Sequence, residues 1–223
     1  MLKFMKSLYR ILGRNSKTIK FLFYLSYVGL VTLFFVSPFM YNNMEWVRPI
    51  FRELGGKFGQ ASVILLVISM TPGILKRLGI LDMVEAITLL FRREFGILAF
   101  YTTLMHVGYA SWTRKMATGA INYWSIFDSQ LEGAIAFSIF FVLFVISNDY
   151  SMKLLKHWWK YIQRGAYIAA ILILLHVLAV GGSNWVIYLI NFYLGAEVIS
   201  WLWVWSRKMK PNTAQKPLEK TQK

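Results

Sequence analysis

The chain has 223 residues, 57% of them hydrophobic and 17% aromatic, and a mean hydropathy of +0.49. A soluble domain is about 45–50% apolar, and the excess here falls in long runs, which points to an integral membrane protein. The lack of cysteine excludes disulfides, thiolate ligands and cysteine-held iron–sulfur clusters, and the net charge of +15 sits at the ends of apolar runs, where membrane orientation explains it better than a nucleic-acid partner.

In chain order, residues 1–20 carry Lys3, Lys6, Arg10, Arg14, Lys17 and Lys20, either a basic amphipathic helix on an anionic leaflet or a solvated tail. The first apolar run, 21–40, is too long for a signal-peptide core and has no small-residue cleavage site behind it, so it reads as a retained span. Five more spans are expected at 58–75, 94–112, 133–147, 161–180 and 184–205. Thr71-Pro72-Gly73 is expected to break the second near its inner end. The short apolar segment 82–90, with Asp82 and Glu85, reads as an interfacial helix leading into the third. Gly181-Gly182-Ser183 is a tight turn between the last two. Trp112, Trp124, Trp185, Trp201, Trp203 and Trp205 fall near expected interfaces, where amphipathic rings are favoured. The tail 206–223 is polar and basic and reads as disordered.

The expected fold is an all-α membrane protein, a six-transmembrane-helix bundle. Six spans place both termini on one side. Twenty Lys and Arg then fall on that side and five on the other, which by the positive-inside rule makes the termini cytoplasmic and the location the inner, plasma membrane.

Two stretches mirror each other, 91–106 and 160–176. Each starts with basic residues, runs through an apolar helix and reaches one histidine, His106 or His176. Arg93 stands 13 residues before the first and Arg164 12 before the second. At 1.5 Å per residue, both imidazoles lie roughly 18–20 Å from the basic end, in the outer third of a hydrocarbon core about 30 Å thick. A histidine inside a span also serves as a hydrogen-bonding group between helices, but matched depth on two spans favours one shared ligand. Two imidazoles make a poor closed zinc site, which takes four ligands. They make a complete axial set for haem, whose porphyrin supplies the other four nitrogens. Small residues line the same sides: Gly96, Ala99 and Thr103 below His106, and Gly165, Ala166 and Ala169 below His176. They leave room for a macrocycle, although they equally suit close helix packing. Arg114, with Lys115, is placed to meet propionates at the outer end or to be ordinary loop charge. Arg92, Arg93 and Arg164 are placed to hold an inner anionic group or to anchor helix ends at headgroups. His157 reads as a surface or headgroup residue. Glu197, an acid within the last span, reads as one half of a structural ion pair or as a quinol-site or proton-relay acid, with Arg93 or Arg164 as partner.

These residues resemble the ferric reductase-like transmembrane domain family, and within it the MsrQ branch of haem-binding subunits. The resemblance covers roughly residues 55–180. It rests on Thr71-Pro72, on Arg92-Arg93-Glu94-Phe95-Gly96 leading through Ala99-Phe100-Tyr101 to His106, on Ser147, and on Trp159, Gln163-Arg164, Tyr167 and His176. It implies a six-helix bundle carrying b-type haem that moves electrons across the membrane. In that branch the donor is quinol or reduced flavin, which brings in quinone or FMN, and the acceptor is an extracytoplasmic partner protein. The family has a histidine directly before the arginine in the fifth span, where this chain has Gln163, and arginines stand near the other inner position, as Arg92 and Arg93 do here. The resemblance therefore implies one haem b near the outer side, on His106 and His176. It leaves an inner haem without imidazoles, in a site marked by Arg92, Arg93, Gln163 and Arg164. The leading functional reading is an electron-transfer subunit of an oxidoreductase rather than a self-contained enzyme. The alternatives are a ferric or metal reductase component, and a non-haem scaffold or transporter.

Overall fold

The computed structural model describes residues 2–118 and 130–208. Among these the secondary structure is helical, with no strand. Helix α1, Leu2–Arg14, leads into α2, Ser16–Asn43. A short 3₁₀ turn at Glu45–Val47 opens α3, Arg48–Leu78. Then come α4, Asp82–Leu90, and α5, Arg92–Thr118. Beyond the undescribed stretch lie α6, Leu131–Val145, α7, Asp149–Leu155, and α8, His157–Gln163. Helix α9, Gly165–Ala179, and α10, Asn184–Lys208, complete the set.

Four stretches are long and apolar enough to cross a membrane: Ser16–Asn43, Glu45–Leu78, His157–Ala179 and Asn184–Arg207. Helices α6 and α7, bent by 93° at the intervening break, make a fifth if the pair is one broken span. Large apolar side chains face outward along these helices, among them Phe35, Ile171 and Phe192. That inverts the arrangement of a soluble protein and suits contact with lipid.

Helix α5 is a different kind of element. It carries Thr102, Thr103, His106 and Ser111 and is less apolar than the four spans, but α2, α3 and α6 all pack on it. Thr102, Met105, Tyr109, Ser111 and Trp112 are buried. A helix covered by protein can afford polar groups that a lipid-facing one cannot, and here each hydroxyl donates back to a carbonyl one turn earlier: Thr102 to Leu98, Thr103 to Ala99, Ser111 to Val107.

The core forms where α3, α5, α6, α9 and α10 converge. Leu66, Met70, Phe100, Phe140, Ala169 and Tyr193 pack together there, with Phe100 stacked on Phe144 at 4.3 Å between ring centroids. A second cluster ties α2 and α3 to the far end of α5 through Tyr41, Phe51, Tyr109 and Trp112. Phe51 and Tyr109 stack at 4.8 Å, and the Tyr109 hydroxyl meets Ser37 Oγ at 3.0 Å. At the opposite end Lys20 pairs with buried Glu94 at 3.3 Å, and the Tyr27 hydroxyl donates to the Glu94 carbonyl. These contacts fasten α2 along the length of α5.

Two expectations need correction. Pro72 does not break α3, which continues to Leu78 and stops at Gly79, whose φ of 66° and N–H donated to Leu75 form a left-handed cap. Proline removes one ladder hydrogen bond, but a helix held by neighbours on several sides absorbs that loss. Trp112 is not an interfacial ring, because it is buried against Phe34 and Tyr109. Trp185, Trp201, Trp203 and Trp205 are exposed at helix ends as expected. The short helix 82–90 and the turn at Gly181, with φ 65°, stand where the sequence placed them. Trp124 and the tail from 209 onward lie outside the described residues.

Candidate functional site

His106 is on α5 and His176 on α9, and the bundle brings their rings to 6.4 Å between centroids, with planes at 76°. An imidazole nitrogen bonds a first-row metal at about 2 Å and lies about 1.2 Å from its own ring centroid, so two axial imidazoles on one metal put their centroids roughly 6–6.5 Å apart. The observed separation falls in that range. Among the described residues no three His, Asp or Glu side chains converge as a metal cage.

Each ring rests on a glycine of a neighbouring helix. A Cβ added to Gly59 of α3 would stand 2.9 Å from His106 Nδ1, and one added to Gly133 of α6 would stand 2.8 Å from His176 Nδ1. In both rings Cγ and Cε1 stand almost as near as Nδ1, so the glycine backbone lies against the face of the ring beside Nδ1. His106 Nδ1 also lies 2.8 Å from the Gly55 carbonyl oxygen. A carbonyl only accepts, so Nδ1 donates the hydrogen bond, and the neutral ring in this orientation is the tautomer of a metal ligand whose other nitrogen is tied to the backbone.

The histidines line a cavity of about 460 Å³, inside the range of roughly 300–1,000 Å³ usual for cofactor and small-molecule sites. Its wall is mostly apolar, with Val63, Phe137, Phe140, Ile173 and Val186, and Thr103 and Gln60 add polar groups. Thr103 therefore lies where its spacing from His106 placed it.

A second cavity, of about 260 Å³, lies toward the basic end of α5. Arg92, Arg93 and Gln163 all line it, together with Gly96, Ala99, Ser147, Trp159 and Ala166. The sequence-expected inner residues thus do meet, although no imidazole reaches this cavity. Arg93 is already held by Asp149 at 2.7 Å, and Trp159 Nε1 donates to the Ile146 carbonyl at 3.1 Å. Arg164 is not part of the wall. It is exposed and its guanidinium stacks over Tyr161 at 4.9 Å. Phe140 lines both cavities. The side chain of Arg114 lies outside the described residues, as does that of Lys115. His157 is exposed beside Trp158 and Tyr161.

Glu197 is paired, but with neither Arg93 nor Arg164. Its Oε1 meets Arg77 of α3 and accepts from Trp201 Nε1 at 3.0 Å, while Arg77 Nε donates to Ser200 Oγ at 2.8 Å. Sequence reasoning passed over Arg77 because it had assigned the end of α3 to a connection beyond Pro72. It also passed over Gly55, Gly59 and Gly133. The Gly55-Gly56-x-x-Gly59 run, at one-turn spacing inside an apolar helix, was the available signal.

No family model matches the chain, and no curated protein or solved structure matches it. The functional reading therefore comes from the chemistry of the site.

Proposed function

We propose that the protein is a b-type cytochrome of the inner membrane, an MsrQ-like, ferric reductase-like electron-transfer subunit that holds one haem between His106 and His176. The observation that carries the reading is the 6.4 Å separation of the two rings, the spacing of two axial ligands on one metal. The tautomer set by Gly55 and the apolar cavity around the rings fit the same group. Haem b, when bound, supplies a one-electron carrier. The chain's own part is to present two Nε2 atoms, to keep His106 Nδ1 protonated against a fixed carbonyl, and to surround the centre with apolar walls that keep water from it.

In this reading six helices cross the membrane, with α5 as the enclosed crossing and α6 as the short one, and both termini are cytoplasmic. The support is the distribution of 25 Lys and Arg, concentrated on the side of the termini and of the 73–93 and 148–164 connections. The histidine cavity then lies toward the outer face and the Arg92–Gln163 cavity toward the cytoplasm. Electrons from quinol or reduced flavin enter on the inner side and leave to an extracytoplasmic acceptor. The inner cavity has about half the volume of the other and no imidazole, so the proposal includes one haem and not two.

The test is the absorption spectrum of detergent-purified protein, oxidised and dithionite-reduced, with a pyridine haemochrome ratio to protein. One b-type haem per chain with a low-spin Soret band is expected. His106→Ala and His176→Ala should each abolish the low-spin signal. A wild-type spectrum in both variants, or no Soret band in the parent, defeats the proposal.

A further inference from the structure

Axial ligation alone leaves an imidazole free to spin about its metal–nitrogen bond, so the angle between two axial rings is set by whatever touches their sides. Glycine backbones do this on both rings, from helices that carry neither histidine. The Gly59 and Gly133 backbones each come so near the face of their ring, over Nδ1, that a methyl group would not fit. A backbone against a ring face blocks rotation of that ring about its Cβ–Cγ bond, and the planes stand at 76°. On the His106 side the Gly55 hydrogen bond, one turn before Gly59 on the same helix, adds a second constraint.

We propose that Gly59 and Gly133 are positioning residues that hold the two axial imidazoles nearly perpendicular. The inference rests on the haem reading above and adds what fixes the ligand geometry and which spectroscopic state it selects. On a low-spin ferric iron, perpendicular imidazole planes leave two d orbitals close in energy and give a strongly anisotropic EPR signal. Planes nearer parallel split those orbitals and give a rhombic signal. A Cβ at either glycine forces its ring to rotate or shift, because the neighbouring helix backbone cannot retreat as a flexible side chain would.

The experiment compares Gly59→Ala and Gly133→Ala with the parent by EPR of the oxidised haem protein. Gly29→Ala serves as the control, since a Cβ at Gly29 meets nothing. The parent and the control should share the strongly anisotropic signal, and each of the other variants should lose it to a rhombic one or lose haem. A double-mutant cycle on thermal stability separates contact with the ring from general packing. Gly59→Ala should lower the melting temperature by roughly 3–6 °C in the parent and by almost nothing in His106→Ala, where the ring is gone. Gly133→Ala should behave the same way against His176→Ala. Unchanged EPR in both haem-loaded glycine variants, or an equal thermal loss in both backgrounds, overturns the assignment. A parent that binds no haem overturns the cytochrome reading itself, which is a distinct result.

Discussion

Arg77 and Glu197 meet inside the bundle, with Trp201 covering the guanidinium at 4.8 Å and Ser200 Oγ accepting from Arg77 Nε. One oxygen of Glu197 takes the ion pair and the indole, while Oε2 is buried without a hydrogen-bond partner. Desolvation makes such a pair a weak net stabiliser while it is intact and a large liability once half of it is gone. Glu197→Ala should therefore cost about 3–5 kcal/mol, because it leaves a buried guanidinium uncompensated. The double replacement Arg77→Met with Glu197→Leu should recover most of that loss. Thermal denaturation in detergent measures both, and additive losses would show that the two residues do not act as a pair. The same scale shows the limit of reading residues singly. An acid inside an apolar run announces that it needs a partner, yet Arg93 and Arg164 were nearer in expectation than Arg77. Only the packing of α10 on α3 selects between them.

At the scale of elements, helices follow hydropathy and their ends follow glycine. The turn between α9 and α10 depends on Gly181 at φ 65° and on the Gly182 N–H donated to the Val177 carbonyl at 2.8 Å. A left-handed residue with a side chain costs roughly 1–2 kcal/mol. Gly181→Ala should therefore lower the melting temperature by about 2–6 °C while leaving the absorption spectrum of the proposed haem unchanged. A spectral change without thermal loss would contradict this account of the turn. Proline teaches the opposite lesson. Pro72 is almost completely buried within α3, and the helix passes through it because neighbours hold the segment on both sides of the missing hydrogen bond. Local propensity decided the end at Gly79 and was overridden at Pro72. The close approach of α3 and α5 at Gly55, where a Cβ would meet Tyr109 Cβ at 3.1 Å, is what lets the Gly55 carbonyl reach His106.

For the whole molecule, the proposed orientation places the α9–α10 turn outside the cell and the α8 segment inside. The chain has no cysteine, so single introduced thiols report sidedness without background. Ser183→Cys should react with a membrane-impermeant maleimide in intact cells whose outer barrier has been opened. Lys160→Cys should react only after the inner membrane is permeabilised. The reverse pattern would invert the topology, and labelling of both positions in intact cells would break the span count. The two cavities meet at the shared Phe140, and the sidedness experiment fixes which of them faces the cytoplasm.

The sequence by itself determined the membrane class, the approximate positions of the long apolar helices, the short helix 82–90 and the pairing of His106 with His176 as a candidate site. Each of these depends on hydropathy, on charge or on spacing along one helix, quantities that one stretch of chain carries alone. Only the tertiary structure decided that Gln163, Arg92 and Arg93 share a cavity that Arg164 does not enter, that Arg77 pairs with Glu197, and that Gly59 and Gly133 lie against the imidazoles. These are contacts between helices far apart in the chain. Rotation about a helix axis, which no residue encodes singly, selects which side chain points inward, and the close approach permitted by glycine sets how near the neighbouring backbone comes.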